Sequence, residues 1–446
     1  MSSGFHLAAC RVIISVMRIG IIGAGFTGLS ASFHLQKLGH DVTIFEKEKF
    51  PGGLAIGFKE DDWTWPLEKH YHHIFTTDNA ILDLAKNIGH EFFFTRPNTS
   101  SLIDGQIFQL DSPVKLMQFS KLSLIDRIRM GAVLGYLKYL SDWKNLEGVT
   151  AHVWLTKMLG RHAYEVVWEP LLRAKFGSYA HEISLAWFWA RIKARSTQLG
   201  YPQGGFQTFA DNLSKKIQDD GGLVKLNTTV KWINKITNGI ELTFEHENNK
   251  SKTILDAVLV TVPNLYFASM ADLPSEYTKK LRSFVSIGAV NMVLQLNKPF
   301  LPKDVYWLNI SEKDYPFLAV VEHTNFIDKK HYGNHHLVYV GNYLPHGHRY
   351  FSMDKTSLLK EYDPFLKKLK PDYHKDLVAT YLFKAPFAQP IVYAHFSKKI
   401  LPFETPIPGV YLANMQQVYP WDRGTNFAVE MGKRVVPYIE SQNKKK

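Results

Sequence analysis

Residues 18–46 restrict what this chain can fold into more than any other stretch. Ile19 to Ile22 is a short β-branched run with the length of a buried parallel strand. Gly23-x-Gly25-x-x-Gly28 follows at once. A helical stretch then runs from Phe26 to about Leu38 and stops at Gly39, and a second strand from Asp41 to Phe45 ends at Glu46. Each glycine has a mechanical reason: Gly23 permits the tight turn, Gly25 lets a diphosphate approach the backbone, and Gly28 lets the helix pack close to the strand. The helix N-terminus offers free N–H donors and the positive end of its dipole to that diphosphate. Glu46, at about the 20-residue spacing of a ribose-binding acid, is suited to accept hydrogen bonds from both ribose hydroxyls and to repel a 2′-phosphate. The pattern predicts a dinucleotide site built from Gly23, Gly25, Phe26, Thr27, Gly28, Glu46 and Lys47.

Phe50-Pro51-Gly52-Gly53-Leu54-Ala55 comes next. A glycine pair here allows backbone to run close along a ribityl–diphosphate arm. With these residues the chain resembles the superfamily of flavin amine oxidases, protoporphyrinogen oxidases, phytoene-type desaturases and UDP-galactopyranose mutases. In that superfamily the GxGxxG, the acid and the Gly-Gly form one long FAD-binding signature, so the resemblance adds Gly52 and Gly53 to the cofactor contacts.

Four further segments are similar to the same superfamily. Gly204-Gly205-Phe206-Gln207-Thr208-Phe209-Ala210, with a helix to about Ile217, looks like the return of the chain to the FAD domain. Leu226-Asn227-Thr228-Thr229-Val230 reads as a strand like the one whose backbone contacts adenine, which assigns Val230. Ala257 to Val262 is a continuous apolar strand closed by Pro263. Gly409 to Asn414 is a strand that leads to Asp422-Arg423-Gly424-Thr425-Asn426 and a helix through about Met431. In relatives that helix aims its N-terminus at the flavin pyrimidine edge, which implies contacts from Gly424, Thr425 and Asn426. Asn414 stands where many relatives have a Gly-Asp pair. A helix cap by Thr425 and Asn426 is compatible with the same geometry.

The expected fold class is therefore α/β: a Rossmann-like FAD-binding domain with a second, discontinuous α+β substrate domain. The FAD-binding domain takes residues 17–69, 202–268 and 400–446. The substrate domain takes a helical part, 70–201, and a sheet part, 269–399. Length alone, at 446 residues, suggests about three units; the resemblance reduces them to two.

Chemistry in the substrate region is less defined. Glu68-Lys69-His70-Tyr71-His72-His73 lies where relatives bring a segment beneath the isoalloxazine ring. His70 or His72 is suited to accept or relay a proton there, and Lys69 to supply charge or bind an acidic substrate. Ordinary loop residues are the alternative. Only His70 and His72 would share a strand face, so no metal is expected. In flavin amine oxidases a lysine on a substrate-domain strand reaches the flavin, and its counterpart in Ile287 to Leu294 is Asn291, so amine oxidation proper is not expected. Arg173 and Lys175, in Trp168 to Gly177, either bind a substrate carboxylate or phosphate or are solvated helix-end charges. Leu124 to Leu140 reads as a basic amphipathic helix with Met130, Val133, Leu134, Leu137 and Leu140 on its apolar stripe, and Arg127 and Lys138 about 20° apart on one face. It is either a core helix or a membrane-facing one.

Composition sets the remaining limits. With 45% hydrophobic and 21% charged residues the chain is globular, not disordered. The net charge of +12 favours an anionic partner, but no nucleic-acid motif accompanies it. The 29 Phe, 21 Tyr and 10 Trp suit a large apolar cavity. One cysteine, Cys10, excludes a disulfide framework, and it lies far from where some relatives attach FAD, so the flavin is expected to be noncovalent. Leu7 to Leu29 is interrupted by Arg11 and Arg18, so no membrane span is expected. Met17 is the expected natural start, and the Lys444–Lys446 tail is expected to be disordered. The location expected is cytoplasmic, with peripheral contact at the inner face of a membrane left open.

The resemblance implies an FAD-dependent oxidoreductase, most like protoporphyrinogen-oxidase-like members, that takes a hydride equivalent from a lipophilic or anionic small molecule. Two rivals stand beside it: a UDP-galactopyranose-mutase-like redox-neutral flavoenzyme, and a binding module resembling Rab GDP-dissociation inhibitors. Nothing in the sequence points to an oligomeric state.

Overall fold

The computed structural model describes residues 16–302 and 304–443. Cys10, the segment before Met17 and the Lys444–Lys446 tail lie outside or at the edge of the described residues. The fold is α/β. Its first layer is a five-stranded parallel sheet of adjacent strands Leu223–Lys225, β2 (Asp41–Phe45), β1 (Arg18–Ile22), Ala257–Val260 and Val410–Leu412. Apart from Arg18, β1 is buried on both faces, as a β-branched run without alternation requires.

Helix α1 (Phe26–Lys37) packs on one face beside α2 (Thr425–Asn443), where the Ser30 hydroxyl donates to the Val429 carbonyl at 2.8 Å. The other face is covered by an antiparallel meander, Thr228–Ile236, Gly239–His246 and Asn249–Leu255, whose Phe244 ring lies 5.1 Å from that of Phe45. Of the expected strand Leu226 to Val230, Leu226 and Asn227 form a break after Leu223–Lys225, and Thr228 to Val230 begin the meander's first strand. Asn227 adopts φ 49°, and Thr228 turns its N–H to the Glu46 carbonyl at 2.7 Å. Val230 is buried in the meander.

The second sheet has seven strands in the order Leu377–Pro390, Ser286–Leu296, His336–Leu344, Ala319–Glu322, Val305–Ile310, Asn98–Ile103 and Gln106–Gln109. Its last two strands come from the stretch expected to be helical. They form a hairpin whose first strand pairs in parallel with Val305–Ile310. Ser286–Leu296 is buried along its whole length.

The helices Leu124–Gly135, Ala151–Leu159, Glu169–Phe176 and Leu185–Ala194 enclose a core that includes Leu137, Leu155, Tyr164, Leu172 and Trp187. Of the stripe expected on the 124–140 helix, Met130, Val133 and Leu137 are buried but Leu140 is 79% exposed. The helix widens to a π-turn over Tyr136–Leu140, which breaks the 3.6-residue phase on which the stripe depends. Arg127 and Lys138 also depart from the expected basic face. Arg127 donates to the carbonyls of Leu122 and Met117, and Lys138 to those of Ile192 and Arg195.

Candidate functional site

The turn from β1 into α1 has the shape that its glycines predict. Gly23 adopts φ +107°, and a Cβ on Gly28 would stand 2.0 Å from the Gly23 carbonyl oxygen. No side chain caps the first turn of α1, so its N–H groups stay free for a diphosphate. Gly53 approaches this turn so closely that its own Cβ would lie 3.1 Å from the Gly25 Cα. A side chain is thus disfavoured at Gly53, where the glycine pair faces the turn.

Glu46 stands at the end of β2 and is 8% exposed. Its carboxylate accepts from the Ala24 N–H at 2.7 Å and the Glu48 N–H at 2.9 Å. Burial raises its pKa, and those two hydrogen bonds counter the rise. Of the other predicted contacts, Phe26 and Thr27 offer backbone at the helix start, but the Phe26 ring stacks on Phe209 in the core. Lys47 is on the surface beside Glu48. Asn414 caps a following turn and donates to the Val262 carbonyl and the Asn264 side chain. The Asn426 side chain accepts from the Ile81 N–H at 3.1 Å. Both carboxamides are therefore engaged within the protein, because each closes a backbone end that would otherwise be buried unpaired.

A narrow chamber is lined by Leu54, His70, Tyr71, His72, Ala289, Asn291, Tyr343, Ala388 and Arg423. Leu54 directly follows the glycine pair, and Arg423 directly precedes Gly424 and the start of α2. The chamber therefore adjoins both ends of the cofactor signature. His70 to His73 form an irregular segment, not a strand.

Burial holds His70 down to about 3 and His72 down to about 4, so both imidazoles are neutral at pH 7. The Asn291 amide donates to His70 Nδ1 at 2.7 Å, which places the His70 proton on Nε2. His72 Nδ1 bonds the His70 carbonyl, a group that only accepts, which leaves His72 Nε2 as a lone-pair acceptor. Of the predicted trio, His70 and His72 share the chamber. Lys69 lies at its outer side with its ammonium 5.9 Å from the Phe383 ring centroid.

Arg173 and Lys175 do not act together. Two positions on a helix are about 200° apart, and the structure sends them opposite ways. Arg173 pairs with Glu169 at the surface, whereas Lys175 turns inward to Asp422 at 3.0 Å. Asp422 also accepts from Arg191 at 2.5 Å and from the Trp187 indole at 2.9 Å. Burial would raise the Asp422 pKa, but Lys175, Arg191 and Arg423 together hold its carboxyl well below the usual range. Lys175 is lowered to about 7, first by burial and then by Arg191 and Arg423, against the pull of Asp422. The two shifts agree physically, since one carboxylate serves three cations. Beside it, Arg423 is fixed by the Gln389 side-chain oxygen at 3.0 Å and by the Tyr343 hydroxyl.

Asp422 and Arg423 stand in the segment that leads into α2, but its pattern assigns them no role. Asn291 stands out in the sequence only as the counterpart of a lysine in flavin amine oxidases, Tyr71 stands unassigned in the histidine segment, and Tyr343 and Ala388 carry no local signal. They reach the chamber from separate strands or loops.

A flavin cradle joined to a chamber of neutral histidines, tyrosines and one guanidinium defines the class, an FAD-dependent oxidoreductase. The chain belongs to the flavin containing amine oxidoreductase family, whose profile matches residues 26–439. Among curated proteins it is similar to the coproporphyrinogen III oxidase of Staphylococcus aureus (strain NCTC 8325 / PS 47), at 25% identity over 292 residues, 56% of this chain. That match spans 61% of the relative's length. Among solved structures it superposes on an Exiguobacterium sp. 255-15 protein provisionally assigned as a protoporphyrinogen oxidase, with TM-score 0.76, 17% identity and coverage of 96% and 100% of the two chains. Reduced UDP-galactopyranose mutase gives TM-score 0.73 at 16% identity over 96% and 97%. At such identities these two structures establish the shared fold alone.

Proposed function

We propose that the protein removes a hydride equivalent from a porphyrinogen-type organic substrate held in the chamber beside the flavin cradle. The observation that carries this reading is the convergence of two neutral imidazoles, Asn291 and the fixed Arg423 guanidinium in one chamber that adjoins Leu54 and the start of α2. Bound FAD supplies the hydride-accepting chemistry. Noncovalent attachment agrees with the absence of cysteine among the described residues. In this reading Gly23, Gly25, Gly28, Gly52 and Gly53 hold the diphosphate arm and Glu46 the ribose. His72 Nε2 accepts the substrate N–H or C–H proton, and Asn291 keeps His70 Nε2 protonated as a donor. Arg423 supplies fixed positive charge where negative charge develops. The name of the Staphylococcus aureus relative favours a porphyrinogen among organic donors. We assign the FAD domain to residues 17–69, 202–268 and 400–446, with the substrate domain between.

Peripheral contact with an anionic membrane surface belongs to the same proposal. Ile125, Ile128, Tyr139 and Leu140 are 57–79% exposed on one helix, and such an apolar face suits the headgroup boundary. Among the described residues no helix is long and apolar enough to cross a membrane.

The test is anaerobic mixing of the FAD-loaded enzyme with coproporphyrinogen III, polyenes, amines and UDP-galactopyranose. Bleaching of the flavin band by the porphyrinogen is expected, slowed about 10²-fold in His72→Gln at unchanged FAD content. Bleaching by another donor class alone, or sugar-nucleotide turnover that consumes no oxidant, overturns it.

A further inference from the structure

A second, wider cavity of about 500 Å³ opens outward from His70, the residue that it shares with the inner chamber. It is lined by Lys69, His70, Met353, Asp354, Lys355, Leu382, Phe383 and Lys384. Three separated stretches build it: the segment after Glu68, the start of the helix Lys355–Leu369, and the strand Leu377–Pro390.

The charges in this vestibule do not balance. Asp354 is its one acid, and its carboxylate is spent as the helix cap, accepting from the Thr356 and Ser357 N–H groups and the Ser357 hydroxyl, each at 2.9 Å. The three lysines are held only by neutral groups. Lys384 donates to the Phe351 and Met353 carbonyls at 2.9 and 2.6 Å, and Lys355 to the Thr380 carbonyl at 3.4 Å. Lys69 lies over the Phe383 ring. Among the described residues none of the three forms an ion pair with a carboxylate. Leu382, Phe383 and Met353 supply apolar wall between these cations. Cations beside apolar wall, in a concave mouth, focus their field on an incoming anion.

We propose that Lys355 and Lys384, with Lys69, form a carboxylate-reading vestibule that selects substrates with an apolar body and anionic side groups. This rests on the oxidoreductase reading above for the position of the reacting centre, but the lysine site is separable from it. The apolar body lies against Phe383 and Leu382, its carboxylates meet the lysines, and the reacting part faces His70 and the inner chamber. Lys355 and Lys384 are specificity-determining residues in this arrangement. They set which molecule enters and how fast, and they hold no proton of the reaction.

The experiment uses the full-length FAD-loaded protein and a stable fluorescent probe, coproporphyrin III, beside its tetramethyl ester. Binding is read from porphyrin fluorescence for wild type, Lys355→Glu/Lys384→Glu, and Lys355→Gln/Lys384→Gln. The tetracarboxylate is expected to lose at least about tenfold in affinity in the Glu pair and less in the Gln pair. Its wild-type binding should weaken as salt rises from about 20 to about 500 mM. The ester should bind all three proteins alike. The Gln pair removes the charge and retains a polar N–H donor at each position, and unchanged FAD content and thermal midpoint show that both pairs fold.

Equal loss for acid and ester, unchanged acid binding in the Glu pair, or no binding of the acid to wild type overturns the vestibule. Flavin bleaching separates the two readings. Lysine-dependent anion binding without bleaching by any organic donor sinks the oxidoreductase substrate reading and leaves the vestibule standing. Bleaching without charge dependence does the reverse.

Discussion

Glu46 and Asp422 are the two carboxylates on which single substitutions say most. Glu46 already accepts two backbone N–H groups and stands beside the glycine turn. Glu46→Ala removes the ribose partner and leaves those donors unpaired, so FAD affinity should fall by roughly 1.5–3 kcal/mol. Titration of the apoprotein with FAD measures it, and full retention of affinity counts against the ribose assignment. Asp422→Asn leaves Lys175 and Arg423 in the interior without their counter-charge. We expect a loss of about 3 kcal/mol in unfolding free energy, the low end for breaking a buried pair. Urea unfolding reads it, and a loss under about 1 kcal/mol contradicts the cluster's role in stability. Glu46 was legible because a fixed spacing from the glycines carries it. Asp422 was not, because two of its three cations, Lys175 and Arg191, lie 247 and 231 positions away on stretches that no local pattern connects to it.

At the level of elements, the 124–140 helix carries the sharpest prediction. Its core stripe holds the bundle together through Met130, Val133 and Leu137, while the widened turn at Tyr136–Leu140 rotates Tyr139 and Leu140 into solvent. Ile125→Ser/Ile128→Ser/Tyr139→Ser should leave the fold and FAD content unchanged. It should also reduce binding to vesicles containing phosphatidylglycerol, read by co-sedimentation, by at least about tenfold, since each side chain removes up to about 1.5–3 kcal/mol of apolar burial and tenfold needs only about 1.4 kcal/mol in all. Equal sedimentation of variant and wild type excludes this face as the contact. Amphipathic periodicity announced the helix. The departure at its end did not show, because a π-turn depends on packing against the 185–194 helix and leaves no mark in residue type.

For the whole molecule the informative group is Glu68, fully buried between Tyr201, Phe206 and, from the second sheet, Tyr339. It accepts from the Tyr201 hydroxyl at 2.9 and 2.7 Å and from the Phe206 N–H at 2.7 Å, while Tyr339 donates to its carbonyl. Burial raises its pKa to about 7 against those hydrogen bonds. The folded protein therefore keeps a proton that the unfolded chain releases near pH 4.5. Native protein binds more protons in between, so stability declines as pH rises from about 4.5 to about 7. The contribution across that window is on the order of 3 kcal/mol. Urea unfolding at intervals across it should show the decline in wild type and a flatter profile in Glu68→Gln. Identical slopes would falsify the assignment.

Local stereochemistry is what the sequence by itself determined. Gly23 and Gly53 adopt a positive φ that other residues disfavour, Gly28 leaves room for close helix–strand packing, β-branched runs make buried parallel strands, and Glu46 follows at a spacing set by one βαβ unit. Those constraints act over a few tens of residues and stand in the order of the chain. The chamber and the vestibule needed the tertiary structure. Asn291 meets His70 across 221 positions and Lys175 meets Asp422 across 247, and the protonation of each group follows from burial that only packing creates. Charge and composition showed that an anion and an aromatic cavity were in prospect. Which cations face the cavity, and which are spent on their neighbours, was decided when the strands of the second sheet closed over His70.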